Sequence, residues 1–259
     1  MLKEVSRFKD STVFEGMTSI RAIIKGTDSG INSRKIEKIL FDKDKLKNIR
    51  KEIGYLRAVS EKYGYTLLES TAEEIDSLSV GESHGGIIAI ATDRSLPLIH
   101  DTSSIPEDGF FCLIQGIEDP YNFGYSIRSL YACGCDGIIL GERNWMSAAG
   151  VVSRSSAGAS EMMRVFRGAD DIETIDIFKS KGYTVVCADE RTDNVLGKCD
   201  LKRPILLLVG GEKRGISRAM LDKADMLVRI DYAREFNASL SAASATTMFA
   251  YEIMRQSSL

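Results

Sequence analysis

The sequence predicts an α/β protein in two parts. A smaller amino-terminal α/β domain (residues 1–95) is joined by a linker (96–108) to a carboxyl-terminal domain (109–259) built on a parallel sheet. Three observations predict this. From Phe110 onward, apolar runs such as "FFCLIQGI", "GIIL", "YTVVCAD" and "PILLLVG" are continuous rather than alternating, the pattern of strands covered on both faces. Helix-length segments separate those runs, as parallel connections require. Between the halves, "RSLPLIHDTSSIPEDG" holds two of the four prolines and little periodicity.

In chain order, "KILFD" reads as a strand, and residues 45–63 as a long amphipathic helix with Ile49, Ile53, Leu56 and Val59 on one face. "YTLLES" is a short strand. "TAEEIDSL" opens a helix, with Thr71 and Glu74 spaced as a capping box. "GGIIAIATD" is a buried strand. Past the linker come the strand "FFCLIQGI", a helix over 122–133, the strand "GIIL", a helix near 150 and another over 171–181. The strands "YTVVCAD", "PILLLVG" and "DMLVRI" follow, then a last helix over 239–256. No internal repeat or low-complexity tract interrupts the series.

Composition narrows the function classes. With 259 residues, 44% hydrophobic and 27% charged, the chain can form one large or two modest domains. No apolar run approaches the ~20 residues of a membrane span, and "MLKEVSRFKDSTVFEG" lacks the apolar core of a signal peptide. A soluble cytoplasmic protein without membrane contact is expected. The five cysteines are scattered, Cys133 and Cys135 alone lying close as C-x-C, and they read as buried thiols. His84 and His100 are the only histidines, which argues against a histidine zinc site or a Ser/His/Asp triad, so no metal is expected. The net charge of −3 excludes a uniformly basic nucleic-acid binder. Locally, residues 32–57 carry nine basic side chains against four acidic ones. Alone, that cluster reads equally as an RNA contact or as a solvated helix face laced with i,i+4 pairs around Lys47, Lys51 and Glu52.

Three stretches carry candidate chemistry, each at the carboxyl end of an expected strand or in the last helix, where open α/β sheets place ligands. They are "DPYNFGYSIRS" (119–129), "LLLVGGEKRGIS" (206–217) and "SLSAASATTMFAYEIMRQ" (239–256). Gly210 and Gly215 have the G-x4-G spacing of a phosphate loop, but Ile216 stands where the lysine belongs. No G-x-G-x-x-G follows a strand, which removes a dinucleotide fingerprint. The third stretch is rich in small residues, as a closely packed helix needs. Singly, the three also read as a turn, a tight loop and a core helix.

Together and in this order, the three stretches resemble the SpoU-type (TrmH-like) RNA ribose 2′-O-methyltransferases of the SPOUT superfamily. Asn122, Gly124 and Arg128 match the first motif. Gly210, Glu212 and Gly215 match the second. Ser239, Leu240, Glu252, Arg255 and Gln256 match the third, and "SSAGASE" (155–161) is similar to the segment between the first two. The third motif departs at one position, with Ser241 in place of asparagine and Asn237 four residues earlier. Asp231 stands where the family has a proline. "ESHGGIIAIA", with His84, is similar to the end of the ribosomal-protein-L30e-like domain of such enzymes, with Gly85 in place of glutamine, and this favours the RNA reading of the basic cluster.

The resemblance implies a deep trefoil knot and S-adenosylmethionine as methyl donor, bound by Gly210, Gly211, Ile230 and Leu240 largely through backbone. It implies RNA as partner, ribosomal ahead of transfer RNA, and a homodimer formed through the catalytic domain. Arg128 would grip a phosphate and the adjacent 2′-hydroxyl, with Asn122 orienting it. Glu212 would steer Arg128 or close the cofactor loop, and Ser239 and Ser241 would meet the target ribose. Two other readings stay open: a non-catalytic RNA-binding relative, hinted at by Ser241, and a small-molecule-binding α/β protein.

Overall fold

The computed structural model describes residues 12–81, 84–141, 148–211 and 215–257. Along the chain run β1 (Val13–Glu15), α1 (Gly16–Asp28), β2 (Ile36–Asp42), α2 (Arg50–Tyr63), β3 (Thr66–Ser70), α3 (Ala72–Leu78), β4 (Ile87–Ala91) and β5 (Leu98–Ile99). They are followed by β6 (Phe110–Gln115), α4 (Pro120–Ala132), β7 (Gly137–Leu140), α5 (Ala149–Ser155), α6 (Ala159–Met162), β8 (Val165–Gly168) and α7 (Asp171–Ser180). The last are β9 (Thr184–Ala188), β10 (Ile205–Gly210), α8 (Arg218–Lys223), β11 (Met226–Val228) and α9 (Ala242–Ser257). The chain divides into two units, 1–95 with 145–162, and 96–144 with 163–259.

The first unit has a mixed sheet in the order β1-β4-β2-β3, with only β2 and β3 parallel. Phe14, Ile23, Ile39, Phe41, Ile53, Leu56 and Ile87 fill the main core, while Leu40, Ile75 and Ile88 form a smaller one. Helix α1 has no counterpart among the sequence expectations, yet it buries Ile20, Ile23 and Ile24 at the i, i+3, i+4 spacing of one helix face. Helix α2 begins at Arg50 rather than 45. The Asp42 carboxylate accepts the Asp44 N–H and starts a 3-10 turn over Lys43–Lys45 that delays the helix. Only half of the expected capping box forms. Thr71 accepts the Glu74 N–H at 3.3 Å, but the Glu74 carboxylate accepts from the Ser70 hydroxyl at 2.5 Å instead of reaching back.

Residues 148–162 belong to this first unit, not to the carboxyl-terminal domain that the sequence reading gave them. Two charged side chains tie them there. Arg154 pairs with Glu15 at 2.6 Å, and Glu161, fully buried, accepts from Arg34 Nε at 3.0 Å and Asn32 Nδ2 at 2.5 Å. The Arg34 guanidinium also lies 4.7 Å from the centroid of the Phe14 ring and donates to the Thr92 carbonyl at 2.5 Å. Close backbone approach demands glycine on both sides. A Cβ on Gly26 would stand 2.1 Å from the Glu161 carbonyl oxygen, and one on Gly158, whose φ is 85°, would stand 2.5 Å from Ala22 Cβ.

The second unit is a seven-stranded, wholly parallel sheet in the order β11-β9-β10-β6-β7-β8-β5. Strands β6 and β10 are buried except at their carboxyl ends, as continuous apolar runs require. Phe111, Phe178 and Tyr183 cluster on one face, with ring centroids 5.1–6.1 Å apart. The expected linker is partly folded: Leu98 and Ile99 form the edge strand β5 beside β8, and Ile99 and Ile105 are buried. From β6 the chain moves through β7 to β8, then crosses to place β9 and β10 on the other side. The order therefore reverses between β6 and β10, and in open parallel sheets ligands sit at such a reversal, beyond the carboxyl ends of the strands.

Candidate active site

At the reversal, β6 and β10 run in register, Gln115 opposite Gly210. Their carboxyl ends touch through backbone alone: a Cβ on Gly211 would lie 1.8 Å from the Gly116 carbonyl oxygen. A Cβ on Gly210 would lie 2.5 Å from the Gly215 carbonyl carbon and 2.7 Å from Ile216 N. The two glycines are thus required by the protein's own loop packing, with Gly215 N–H donating back to the Gly211 carbonyl at 2.9 Å.

Helix α4 starts at the same edge. Asp119 caps it by accepting the N–H groups of Tyr121 and Asn122 at 3.1 and 3.2 Å, and Pro120 occupies the first helical position, where a missing N–H costs nothing. Asp119 therefore serves as the helix cap. Arg128 is exposed and makes no ion pair or hydrogen bond among the described residues. In the same unit Arg191, Arg203, Arg218, Arg229 and Arg255 are each paired with a carboxylate. Asn122 and Arg128 are not bonded to each other; six residues apart on one helix, they do not share a face.

Helix α9 packs beside α4 in the same direction. Ser129 and Thr247 share a hydrogen bond of 2.6 Å, and further along Ala132, Gly134, Met254 and Ser257 line one cleft of about 640 Å³. Buried Ala242, Ala243, Thr246 and Ala250 keep the α9 surface small enough for this approach. Since both helices follow strands of the sheet, their amino ends share its carboxyl edge, and the cleft lies at their other ends, away from the strand-end loops.

Ser241 caps α9. Its hydroxyl accepts the Ser244 N–H at 3.2 Å, while its carbonyl accepts the Ala245 N–H at 3.0 Å. Serine and asparagine are equally good at this position, which gives the departure from the family motif a physical reading. Asp231, in place of proline, accepts from Arg229 Nε at 2.8 Å and anchors the start of the loop; Asp231 raises the Arg229 pKa through that hydrogen bond. The loop from Asp231 to Ser239 is exposed throughout, Ser239 included, whereas Ile230 and Leu240 are half-buried. The Leu240 N–H donates to the Tyr232 hydroxyl at 3.2 Å. At the far end of α9, Arg255 grips Glu252 with two hydrogen bonds of 2.7 and 2.8 Å. Hydrogen bonding from Arg255 holds the Glu252 carboxyl below its ordinary pKa. Gln256 accepts the Leu201 N–H and donates to the Cys199 carbonyl. Gln256 thus fastens the helix to the loop before β10, while Glu252 and Arg255 brace each other along the helix, Glu252 also accepting from Gln256 at 2.6 Å.

The family model of the SpoU rRNA methylases matches residues 109–251. The chain belongs to the SpoU rRNA methylase family. The putative TrmH family tRNA/rRNA methyltransferase YacO of Bacillus subtilis is 26% identical over 87% of this chain and 90% of its own length. The 23S rRNA (guanosine-2′-O-)-methyltransferase RlmB of Shewanella oneidensis is 27% identical over 75% of this chain and 80% of its own. The AdoMet-bound rRNA methyltransferase of Sinorhizobium meliloti shares the fold with a TM-score of 0.76 at 20% identity, over 98% of this chain and 90% of its own.

Of the SpoU-family motif residues, Asn122 lies in the first turn of α4, Gly210 and Gly211 at the end of β10, Ile230 just after β11, and Ser239, Leu240 and Ser241 ahead of α9, all on segments that follow carboxyl strand ends, whereas Arg128 stands about two turns further along α4. Glu212 lies outside the described residues. Sequence reasoning missed the cap at Asp119, although Asp-Pro ahead of an apolar helix is its signature, and missed Tyr232, which contacts Leu240 only through a loop whose course no pattern predicts. Among the described residues no group of three His, Cys, Asp or Glu side chains could hold a metal, and no helix is long and apolar enough to cross a membrane.

Proposed function

We propose that this SpoU-family chain transfers a methyl group from S-adenosylmethionine to a ribose 2′-hydroxyl of RNA, with ribosomal RNA placed ahead of transfer RNA. The observation that carries the reading is Arg128, an exposed guanidinium without an ion-pair partner among the described residues, on a helix that starts at the ligand edge of the sheet. A permanently charged planar fork suits a phosphate and a neighbouring hydroxyl held side by side. Arg128 would position the two, so that the hydroxyl proton passes toward the target's own phosphate. The names of the RlmB relative and of the AdoMet-bound structure support the 2′-hydroxyl and the donor.

The lining proposed for the donor fits it. Ile230 and Leu240 supply half-buried apolar side chains with no charge, suited to a flat purine, while Gly210 and Gly211, whose Cβ sides are filled by the chain itself, would contribute backbone polar groups. When bound, S-adenosylmethionine supplies the electrophilic methyl carbon; the chain's task is to hold donor and ribose in line. Asn122 and Ser239 stand at the same edge as groups for the target nucleotide, and the trefoil threading of the carboxyl-terminal loops belongs to the same reading.

The first unit is proposed as an L30e-like RNA-binding module. Lys43, Lys47, Arg50, Lys51 and Arg57 are all exposed and carry no ion pair among the described residues, so the i,i+4 lacing that would make them a neutral solvated face is absent. A homodimer is proposed through the α4–α9 face, where Tyr125, Met248 and Tyr251 are 47, 41 and 57% exposed, in a cytoplasmic protein. The non-catalytic alternative loses its one hint, since Ser241 serves as a sound helix cap. Mapping 2′-O-methyl positions in total RNA from cells with and without the gene tests the proposal; identical maps would refute it.

A further inference from the structure

The loop from Asp231 to Ser241 carries two exposed aromatic rings that the proposed reaction leaves without a role. Tyr232 and Phe236 are 42 and 59% exposed, with ring centroids 6.0 Å apart in an edge-to-face arrangement. Two adjacent rings left in water forfeit the burial that aromatic side chains usually gain, which marks a contact surface. Tyr232 is held from behind, because its hydroxyl accepts the Leu240 N–H at 3.2 Å. The charges around the rings are already matched. Arg229 is committed to Asp231 at 2.8 Å, and the exposed neighbours Arg234 and Glu235 offset each other in sign. The loop therefore presents ring faces and little net charge, its Arg234 being an exposed guanidinium without an ion pair among the described residues, as Arg128 is on α4.

That division of labour identifies the occupant. A phosphate would be held by a guanidinium and gains nothing from a ring; a nucleobase can lay its flat face on one exposed ring, with the other ring edge-on beside it. We propose that Tyr232 and Phe236 form a stacking platform for one unstacked RNA base beside the target nucleotide. The proposal rests on the RNA methyltransferase reading above. Protein side chains reach RNA bases chiefly in single-stranded loops and bulges, where a base can swing out and stack on an aromatic ring. Such stacking tolerates any base, so the platform would contribute affinity and orientation rather than sequence choice.

The competing occupant is the adenine of the methyl donor, and the experiment separates the two. Single-stranded oligoribonucleotides carrying one 2-aminopurine, moved stepwise along the strand, are titrated with the full-length protein at several salt concentrations. S-adenosylmethionine binding is measured in parallel by calorimetry. Wild type should quench the fluorophore at one or two positions. The Tyr232→Leu, Phe236→Leu double variant should lose the quenching and weaken RNA binding by roughly 5- to 150-fold, with an unchanged salt slope and a donor affinity equal to that of Tyr232→Phe, in which the same bond to Leu240 is lost. Tyr232→Phe, which keeps the ring and loses the bond to Leu240, should retain the quenching. Undiminished quenching in the double variant, or lost donor affinity with RNA affinity intact, would overturn the platform. RNA that binds wild type with a normal salt slope but is quenched nowhere sinks the platform and leaves the reaction standing. RNA that fails to bind wild type at any salt sinks the reaction itself.

Discussion

Gly116 and Gly211 meet backbone to backbone across the carboxyl ends of two neighbouring parallel strands, so close that a Cβ on Gly211 would lie 1.8 Å from the Gly116 carbonyl oxygen. Neither strand end can retreat, since Gln115 and Gly210 are paired immediately before them. Gly211→Ala should therefore destabilise the protein by about 1–3 kcal/mol or more, as forced overpacking does. Gly54→Ala is the control: no atom lies within 4 Å of its added Cβ, and alanine in an exposed helix should add roughly 0.5–1 kcal/mol. Urea denaturation of both variants checks the contrast. A bulky residue at 210 would likewise strike Gly215 and Ile216 first, so loss of donor binding in such a variant reports on the loop as much as on the ligand.

Arg128 should be needed for methyl transfer and dispensable for donor binding. Lysine keeps the charge without the fork, so Arg128→Lys should lose most of the single-turnover rate, and Arg128→Ala on the order of 10²–10³. Because Arg128 bonds to nothing among the described residues, neither change should shift the melting temperature appreciably. Both variants methylating within a few-fold of wild type would remove Arg128 from the mechanism.

Ser241 should behave as a cap. Ser241→Ala is expected to cost about 1 kcal/mol, and Ser241→Asn only a few tenths, with methylation retained in the latter. Thermal melts together with rates distinguish this from a role on the target ribose, in which Ser241→Asn would change rate without changing stability.

The basic surface of the first unit should bind phosphate. Reversing Lys47, Arg50 and Lys51 to glutamate should weaken RNA binding and flatten its salt dependence, each lost phosphate contact releasing about one counterion fewer. An unchanged slope would return the cluster to a solvated face.

Glu161 and Arg34 should be mutually indispensable. Each is almost wholly buried, so Arg34→Ala leaves an uncompensated carboxylate in the core and should cost about 3–5 kcal/mol. For the same reason a fragment of residues 96–259, which strips Glu161 of Arg34 and Asn32 and Arg154 of Glu15, should show weak near-ultraviolet circular dichroism and aggregate, whereas the full chain should not.

The strands of the second unit were legible because burial on both faces leaves an unbroken apolar run; Phe110–Gln115 and Ile205–Gly210 lie where those runs do. Their parallel pairing followed from the helices between them. The affiliation of residues 148–162 was not legible, since apolar spacing reports which face of a helix is buried and not against which neighbour. Glu161 reads as an ordinary surface charge until Arg34, 127 residues away, is brought to it. Helix α1 was overlooked because two glycines and four hydroxyl-bearing or acidic residues dilute its pattern, yet its three isoleucines suffice once a sheet is there to receive them. At the site, the motif glycines and Arg128 announced themselves by residue type, whereas the caps at Asp119 and Ser241 needed the helix starts to be known.

The interval between Arg34 and Glu161 also sets a clock for synthesis. A nascent chain grows at about 5–20 residues per second, so the arginine waits roughly 6–25 s for its carboxylate. Throughout that time the first 95 residues, though they contain every strand of their own sheet, hold a core with a charge that must stay hydrated. The amino-terminal unit is therefore made first but finished late, and its completion depends on the ribosome having already delivered β6, α4 and β7.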